Sequence, residues 1–124
     1  MERIATAEQA LNRLESILEE PFSIIVRDAT IQRFEFTSEA VWKAVQAWLK
    51  EHESIEEHHP RGVYRALFRI GRIDEDLATS LLQSIEDRNR TSHAYIEAVA
   101  QAVFNRIPVH TRTFRNLLNS LTGI

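Results

Sequence analysis

The chain has 124 residues, a formal net charge of -3 and no cysteine. This length fits a single domain spanning residues 1–124 with a sizeable core, and the negative charge argues against binding driven by general attraction to duplex DNA. The lack of cysteine excludes disulfides and thiolate metal sites and is typical of cytoplasmic proteins. No apolar run is long enough for a membrane span or a signal sequence. We therefore expect the protein to be in the cytoplasm.

Composition and patterning predict an all-α fold. Only three glycines and three prolines occur, and no segment alternates as a strand would. A capping box formed by Thr6 and Gln9 predicts the start of a first helix, which Pro21 ends. No Gly or Pro occurs between Ser23 and about Glu53, so we expect a second helix there that is about 45 Å long.

The second helix carries apolar residues on more than one side. Phe34 and Phe36 are separated by about 200° around the helix, so they cannot both face one core. Trp42 and Trp48 are likewise widely separated in angle around the helix. Two explanations remain open: the helix is surrounded within its own bundle, or it uses one face for the bundle and the other for a second subunit.

A polar segment follows and is interpreted as a solvated linker. His52 and Glu53 start like a zincin metal motif, but Glu56 stands where the second histidine is required, so we expect no metal site here. Pro60 fits the first position of a third helix, which should run to about Ile70.

The third helix carries a basic stripe. Its apolar residues Val63, Leu67 and Ile70 are expected to pack inward. Such a charged face is usually only solvated, but four arginines with no interleaved acid also fit a site for phosphate or an acidic partner. The stripe consists of Arg61, Arg65, Arg69 and Arg72.

Two further helices and a last segment complete the prediction. Asp74 is expected to cap the fourth helix. A fifth helix should run to about Ile107, and Pro108 should start or kink a last amphipathic segment. The expected fold is therefore an up-and-down bundle of four to five helices.

The octet of residues 88–95 lies between the fourth and fifth helices and contains a fixed cation, an imidazole and a phenol. We expect Arg88 in the last turn of one helix and His93 in the first turn of the next. First-turn amides disfavour a charged imidazole, and a neutral imidazole beside a guanidinium can act as a base on a phosphodiester.

A simpler reading of the octet is structural. Thr91 and Ser92 are good N-caps and Asn89 is a good C-terminal breaker. The octet would then be only a capped corner between two helices, in a helical adaptor without activity.

Two stretches of the chain resemble a known family. They are residues 26–37 (VRDATIQRFEFT), followed by Val41-Trp42-Lys43, and residues 87–95 (DRNRTSHAY). Both are similar to the nucleotidyltransferase substrate-binding proteins, a group of the HEPN superfamily of small helical bundles whose members are typically encoded beside a minimal nucleotidyltransferase. The resemblance implies a HEPN-like fold and a nucleotidyltransferase partner.

In that superfamily, an Arg, an adjacent polar residue and a following His mark metal-independent endoribonucleases that act as toxins. Arg88, Asn89 and His93 match this motif. In some members the partner silences the toxin by attaching AMP to a tyrosine, and Tyr95 occupies that position. The resemblance implies no cofactor and no metal.

Two functional hypotheses follow from the resemblance. In the first, His93 takes the proton from a ribose 2′-hydroxyl, Arg88 stabilises charge on the phosphoryl oxygens and Asn89 orients Arg88 or the RNA. One motif histidine per chain then predicts a homodimer, or a heterotetramer with the partner. In the second, the chain is a non-catalytic nucleotide- or substrate-binding subunit whose phosphate-binding residues are Arg88, Arg61, Arg65, Arg69, Arg72 and Arg90.

Overall fold

The computed structural model describes residues 2–122, which form five α-helices and no strand. The helices are α1 (Glu2–Ile17), α2 (Ile24–Glu53), α3 (Pro60–Arg69), α4 (Glu75–Arg90) and α5 (Glu97–Thr122), with a short 3₁₀ turn, Thr91–His93, between α4 and α5. The expected all-α fold is confirmed. Within the described residues, no helix combines the length and apolar character that a membrane span requires.

The predicted start of α1 was wrong. Thr6 lies inside the helix, and its hydroxyl donates to the carbonyl of Glu2 at 3.1 Å. A threonine can bond back to the preceding turn in this way, so a capping-box pattern also occurs in a helix interior. The apolar residues of α1 lie on one face, which packs mainly against α2.

The α2 helix is the centre of the bundle and contacts each of the other four helices. Its predicted bounds are confirmed, because the Ser23 hydroxyl caps it by accepting from the Val26 N–H at 3.0 Å. The opposed directions of its phenylalanines are also confirmed: Phe34 is fully buried, whereas Phe36 is 60% exposed. The buried residues of α2 recur at spacings of three and four and so form one face, which packs into its own bundle, whereas the side that carries Phe36 faces outward.

The α3 and α4 helices start where the sequence predicts. Pro60 occupies the first turn of α3, and Asp74 caps α4 by accepting from the Leu77 N–H at 2.8 Å. The prediction for Ile70 was wrong, since this residue is 36% exposed. It lies beyond the last turn of α3, where the chain turns through Gly71 at a φ of 77°, and so leaves the inward face of the helix.

The predicted end of the fifth helix near Ile107 was wrong as well. The α5 helix is continuous through Pro108, which is exposed. Proline removes one helical hydrogen bond, but flanking residues of α5 are buried in the core and hold the helix together across this position. Those buried residues are Val103, Ile107, His110, Phe114, Leu117, Leu118 and Leu121.

Candidate functional site

The octet spans the end of α4 and the connection to α5. Arg88 lies in the last turn of α4, as predicted. His93 does not lie in the first turn of α5, because α5 begins only at Glu97 and His93 belongs to the 3₁₀ turn. The prediction was wrong on this point, and the effect of first-turn amides does not apply to His93.

The capped-corner reading of the octet was also wrong in its details. The Thr91 hydroxyl donates to the Arg88 carbonyl at 2.6 Å, and the Ser92 hydroxyl donates to the Asn89 carbonyl at 2.9 Å. These hydroxyls therefore satisfy the last carbonyls of α4 instead of capping α5. Asn89 does not break α4, since it lies inside the helix.

The polar side chains of the octet face outward. Asn89 and His93 are exposed, and Tyr95 is 81% exposed. The rings of His93 and Tyr95 meet edge to face, with centroids 6.1 Å apart. The structure thus brings the imidazole and the phenol together on a surface that solutes can reach.

The Arg88 guanidinium is held only loosely. Its Nη1 lies 3.7 Å from the Glu35 carboxylate and donates a long hydrogen bond of 3.4 Å to the Thr91 hydroxyl. Its Nε is buried and has no hydrogen-bond acceptor among residues 2–122. The Arg88 side chain is 37% exposed, so part of the guanidinium is open to a ligand.

Arg27 and Arg115 differ from Arg88 because structural contacts engage them fully. Both terminal nitrogens of the buried Arg27 side chain bond to Glu97, and this carboxylate raises the pKa of Arg27. Arg115 donates to the Glu15 carboxylate at 2.7 Å. Bidentate and charge-assisted bonds of this kind leave little capacity for a ligand. The Arg27 pair also ties the first turn of α2 to the first turn of α5.

A buried ionic network lies directly beside Arg88 in the chain. Asp87 is 1% exposed and accepts hydrogen bonds from Arg90 at 2.8 Å, from two nitrogens of Arg106 at 2.8 and 2.6 Å, and from His110 at 2.7 Å. Burial raises the pKa of Asp87, but the hydrogen bonds from Arg106, His110 and Arg90 outweigh it and lower the pKa to about 2. This Asp87 network fastens the last turn of α4 to α5.

Sequence reasoning missed the Asp87 network. Arg106 and His110 are four residues apart and therefore share one face of α5, which is a weak signal. No pattern in the sequence connects that face with Asp87, because the contact forms only when α4 packs on α5. The His110 ring is fixed from its other side by stacking on Phe34, with centroids 5.3 Å apart.

Part of the basic stripe is distant from the octet. Arg72 precedes α4, whereas Arg88 lies near its end, which places them about 20 Å apart along the helix. The Arg72 guanidinium lies 5.1 Å from the centre of the Trp48 ring and donates to the Ser120 carbonyl at 2.6 Å. The structure therefore does not bring Arg72 to the octet.

The remaining candidates for phosphate binding vary in their environment. Arg65 is exposed and Arg61 is half-buried, while Arg69 lies 3.8 Å from the Glu57 carboxylate of the linker. Arg90 is engaged by the Asp87 network. Within residues 2–122, no three His, Cys, Asp or Glu side chains lie close enough together to hold a metal ion.

Comparison with known proteins identifies the family. Residues 2–123 match the family described as nucleotidyltransferase substrate binding protein like. A crystal structure of a Thermus thermophilus protein is 43% identical, with a TM-score of 0.87 over 93% of this chain and 98% of that one. No similar sequence was found among curated proteins.

More distant structures share the fold. A tri-AMPylated Shewanella oneidensis HEPN toxin in complex with its MNT antitoxin has a TM-score of 0.80 at 16% identity, covering 99% of this chain and 96% of that one. A Haemophilus influenzae protein with the fold of a substrate binding domain of a nucleotidyltransferase has a TM-score of 0.78 at 22% identity, covering 96% and 98%. The bundle, the octet between α4 and α5, and the match over residues 2–123 lead to one assignment: the chain belongs to the nucleotidyltransferase substrate binding protein-like family.

Proposed function

We propose that this chain is the HEPN-type component of a pair with a minimal nucleotidyltransferase, and that it is a metal-independent endoribonuclease. The observation that carries the proposal is the state of Arg88, whose loosely held and partly exposed guanidinium lies in the last turn of α4, directly before the 3₁₀ turn that holds His93. A guanidinium that is not fully paired with groups of its own chain is available to bind a phosphate. The similarity in fold to a HEPN toxin bound by an MNT antitoxin supports the pairing.

The reaction uses the octet as follows. His93 takes the proton from a ribose 2′-hydroxyl, and the 2′-oxygen forms a bond to phosphorus. The bond between phosphorus and the 5′-oxygen breaks, and an acid returns a proton to that oxygen. Arg88 stabilises the charge on the phosphoryl oxygens, and the exposed Asn89 orients the RNA. The products are a 2′,3′-cyclic phosphate and a 5′-hydroxyl end.

A homodimer completes this reaction. One chain supplies a single motif histidine, whereas the reaction needs both a base and an acid, so a symmetric dimer would provide the second group. An exposed apolar surface at the octet end of the bundle supports this arrangement, because such patches mark contact sites. It comprises exposed residues that flank the Arg27–Glu97 pair in the chain: Phe22, Ile24, Ile25 and Ile96.

The partner nucleotidyltransferase is proposed to modify Tyr95. The phenol is 81% exposed, so its oxygen is open to attack the α-phosphorus of ATP and release pyrophosphate. The attached AMP would place a negative charge beside His93 and thereby oppose binding of RNA at the octet. A homodimer with one partner bound to each chain would form the heterotetramer.

Cleavage of labelled transfer RNA and messenger RNA in EDTA tests the proposal. We expect cleavage by the wild-type chain and loss of cleavage in His93→Ala and Arg88→Ala, with a 2′,3′-cyclic phosphate on the product. His58→Ala is the matched control, because His58 is another exposed histidine that lies in the linker. Equal cleavage by wild type and His93→Ala would point to a contaminant and overturn the proposal.

The second candidate function is a non-catalytic substrate-binding subunit of a two-protein nucleotidyltransferase. The similarity to the Haemophilus influenzae substrate binding domain favours it. Arg88 would then hold phosphate together with Arg61, Arg65 and Arg69, because the ion pair of Arg69 with Glu57 is as loose as that of Arg88. Arg72 and Arg90 have closer aromatic, carbonyl or carboxylate partners within the chain. A stable complex with the partner, without any RNA cleavage, would distinguish this function from the first.

A further inference from the structure

Glu35 faces the motif arginine from the middle of α2. Its carboxylate lies 3.7 Å from Nη1 of Arg88, and the two side chains are 33% and 37% exposed. We infer that Glu35 competes with phosphate for Arg88: it pairs with the guanidinium in the free chain and releases it when a phosphate group of RNA or nucleotide binds. This inference rests on the proposed function in one respect, namely that Arg88 binds phosphate.

The geometry makes the ion pair easy to displace. The separation of 3.7 Å is longer than a hydrogen bond between nitrogen and oxygen. Because both groups are partly exposed, water and salt screen their attraction, and such pairs contribute little to stability. No hydrogen bond joins the two side chains within residues 2–122, so the pair does not use the bidentate arrangement that arginine favours.

Arg88 has unused capacity that a phosphate can fill. Its bond to the Thr91 hydroxyl is long at 3.4 Å, and its side chain is 37% exposed, so the exposed part of the guanidinium can take a further acceptor. A phosphate offers several oxygens and matches the fork of the guanidinium. We therefore expect the interaction of a phosphate with Arg88 to be more favourable in free energy than that of Glu35. Glu35 then lowers the affinity of the site for anions that bind weakly.

The test is a titration with inorganic phosphate, followed through the Arg88 side-chain N–H resonance in nuclear magnetic resonance. The buried Nε–H exchanges slowly with water, and its resonance is identified by its loss in Arg88→Ala. The variant Glu35→Gln keeps the size of the side chain and removes its charge. Glu39→Gln is the matched control, because Glu39 lies one turn further along α2 and pairs with Lys43 at 3.4 Å instead of with Arg88.

We expect Glu35→Gln to bind phosphate about two- to fivefold more tightly than wild type, in line with an exposed ion pair, and Glu39→Gln to be unchanged. Glu35→Asp, which keeps the charge but draws it away from Arg88, should fall between wild type and Glu35→Gln. Equal or weaker binding in Glu35→Gln would overturn the inference, as would an Arg88 resonance that phosphate moves in neither protein. Absence of RNA cleavage would refute the ribonuclease proposal alone, since the titration requires no cleavage.

Discussion

Asp87 and Arg88 are neighbours in the last turn of α4, but their environments are opposite. Asp87 is buried and accepts hydrogen bonds from three cationic or imidazole side chains, whereas Arg88 is partly exposed and loosely paired. Two neighbouring residues of one helical turn therefore differ in their roles. The Asp87 network fixes the helix end, and that fixed end holds the guanidinium of Arg88, the proposed phosphate-binding group, partly exposed.

Removing the charge of Asp87 is expected to weaken the fold in a way that depends on pH. The pKa of Asp87 is lowered from 3.8 to about 2 in the folded state, so the carboxylate contributes stability above its unfolded pKa and loses it as pH falls through about 2. Asp87→Asn should therefore lower the free energy of unfolding at pH 7 by about 2 to 3 kcal/mol. Denaturant unfolding at several pH values measures this difference, which should shrink below about pH 4.

Glu86→Gln provides the control for Asp87→Asn. Glu86 is adjacent in sequence but exposed, so its substitution should change the free energy of unfolding by less than about 0.5 kcal/mol at each pH. A difference between Asp87→Asn and wild type that stays constant down to acidic pH would show that the charge of Asp87 is not the source of the stabilisation.

The helices were largely predictable because local signals mark their ends. Pro60 and Asp74 act as predicted, through a first-turn proline and a carboxylate cap, and Ser23, where the predicted second helix begins, caps α2 with its hydroxyl. Local signals failed at Thr6, where the same hydroxyl bonds back inside a helix, and at Ile70, which the turn at Gly71 removes from the helix face.

The candidate site was predictable only in part. The family motif pointed to Arg88 and His93 and the spacing placed Arg88 in the last turn of α4, but the 3₁₀ turn that holds His93 carries no sequence signal. The partners Glu35 and His110 come from α2 and α5 and are distant in sequence. Their contacts depend on how the helices pack, which periodicity does not specify.

Replacing Pro108 tests how far packing stabilises α5 against a proline in its interior. Pro108→Ala restores an N–H group in the interior of α5 and replaces a poor helix former at an exposed position. The substitution should raise the free energy of unfolding by about 1 to 2 kcal/mol, because the gain in the helix exceeds the entropy that proline removes from the unfolded chain. Thermal and denaturant unfolding measure the change.

The matched control is Pro21→Ala, since Pro21 lies in the connection between α1 and α2. Its replacement should leave stability unchanged or lower it slightly, because only the unfolded chain gains freedom. If Pro108→Ala were no more stable than wild type, then α5 would already accommodate the missing hydrogen bond without cost, and packing would account for the whole helix.

At the scale of the whole molecule, the net charge of -3 means that the proposed binding of RNA must rest on local attraction, by Arg88 and its surroundings, and not on the charge of the protein as a whole. In the proposed reaction, a site with one motif histidine depends on assembly. The exposed apolar surface lies at the end of the bundle where Arg27 joins α2 to Glu97 of α5, close in the chain to the octet. Dimerisation through this surface would bring two octets near each other.

The variant Ile25→Asp tests whether RNA cleavage depends on dimerisation through this surface. Ile25 is 82% exposed, so a charge there costs the free chain little, but burying that charge against a second copy would prevent association. We expect sedimentation to show a dimer for wild type and a monomer for Ile25→Asp, with unchanged helical circular dichroism and loss of RNA cleavage. Phe68→Asp is the control, because Phe68 is also exposed but lies on α3, outside the surface. A monomeric Ile25→Asp chain that still cleaves RNA would mean that a single chain supplies both acid and base, and Glu35 beside Arg88 would then be the first carboxyl group to replace.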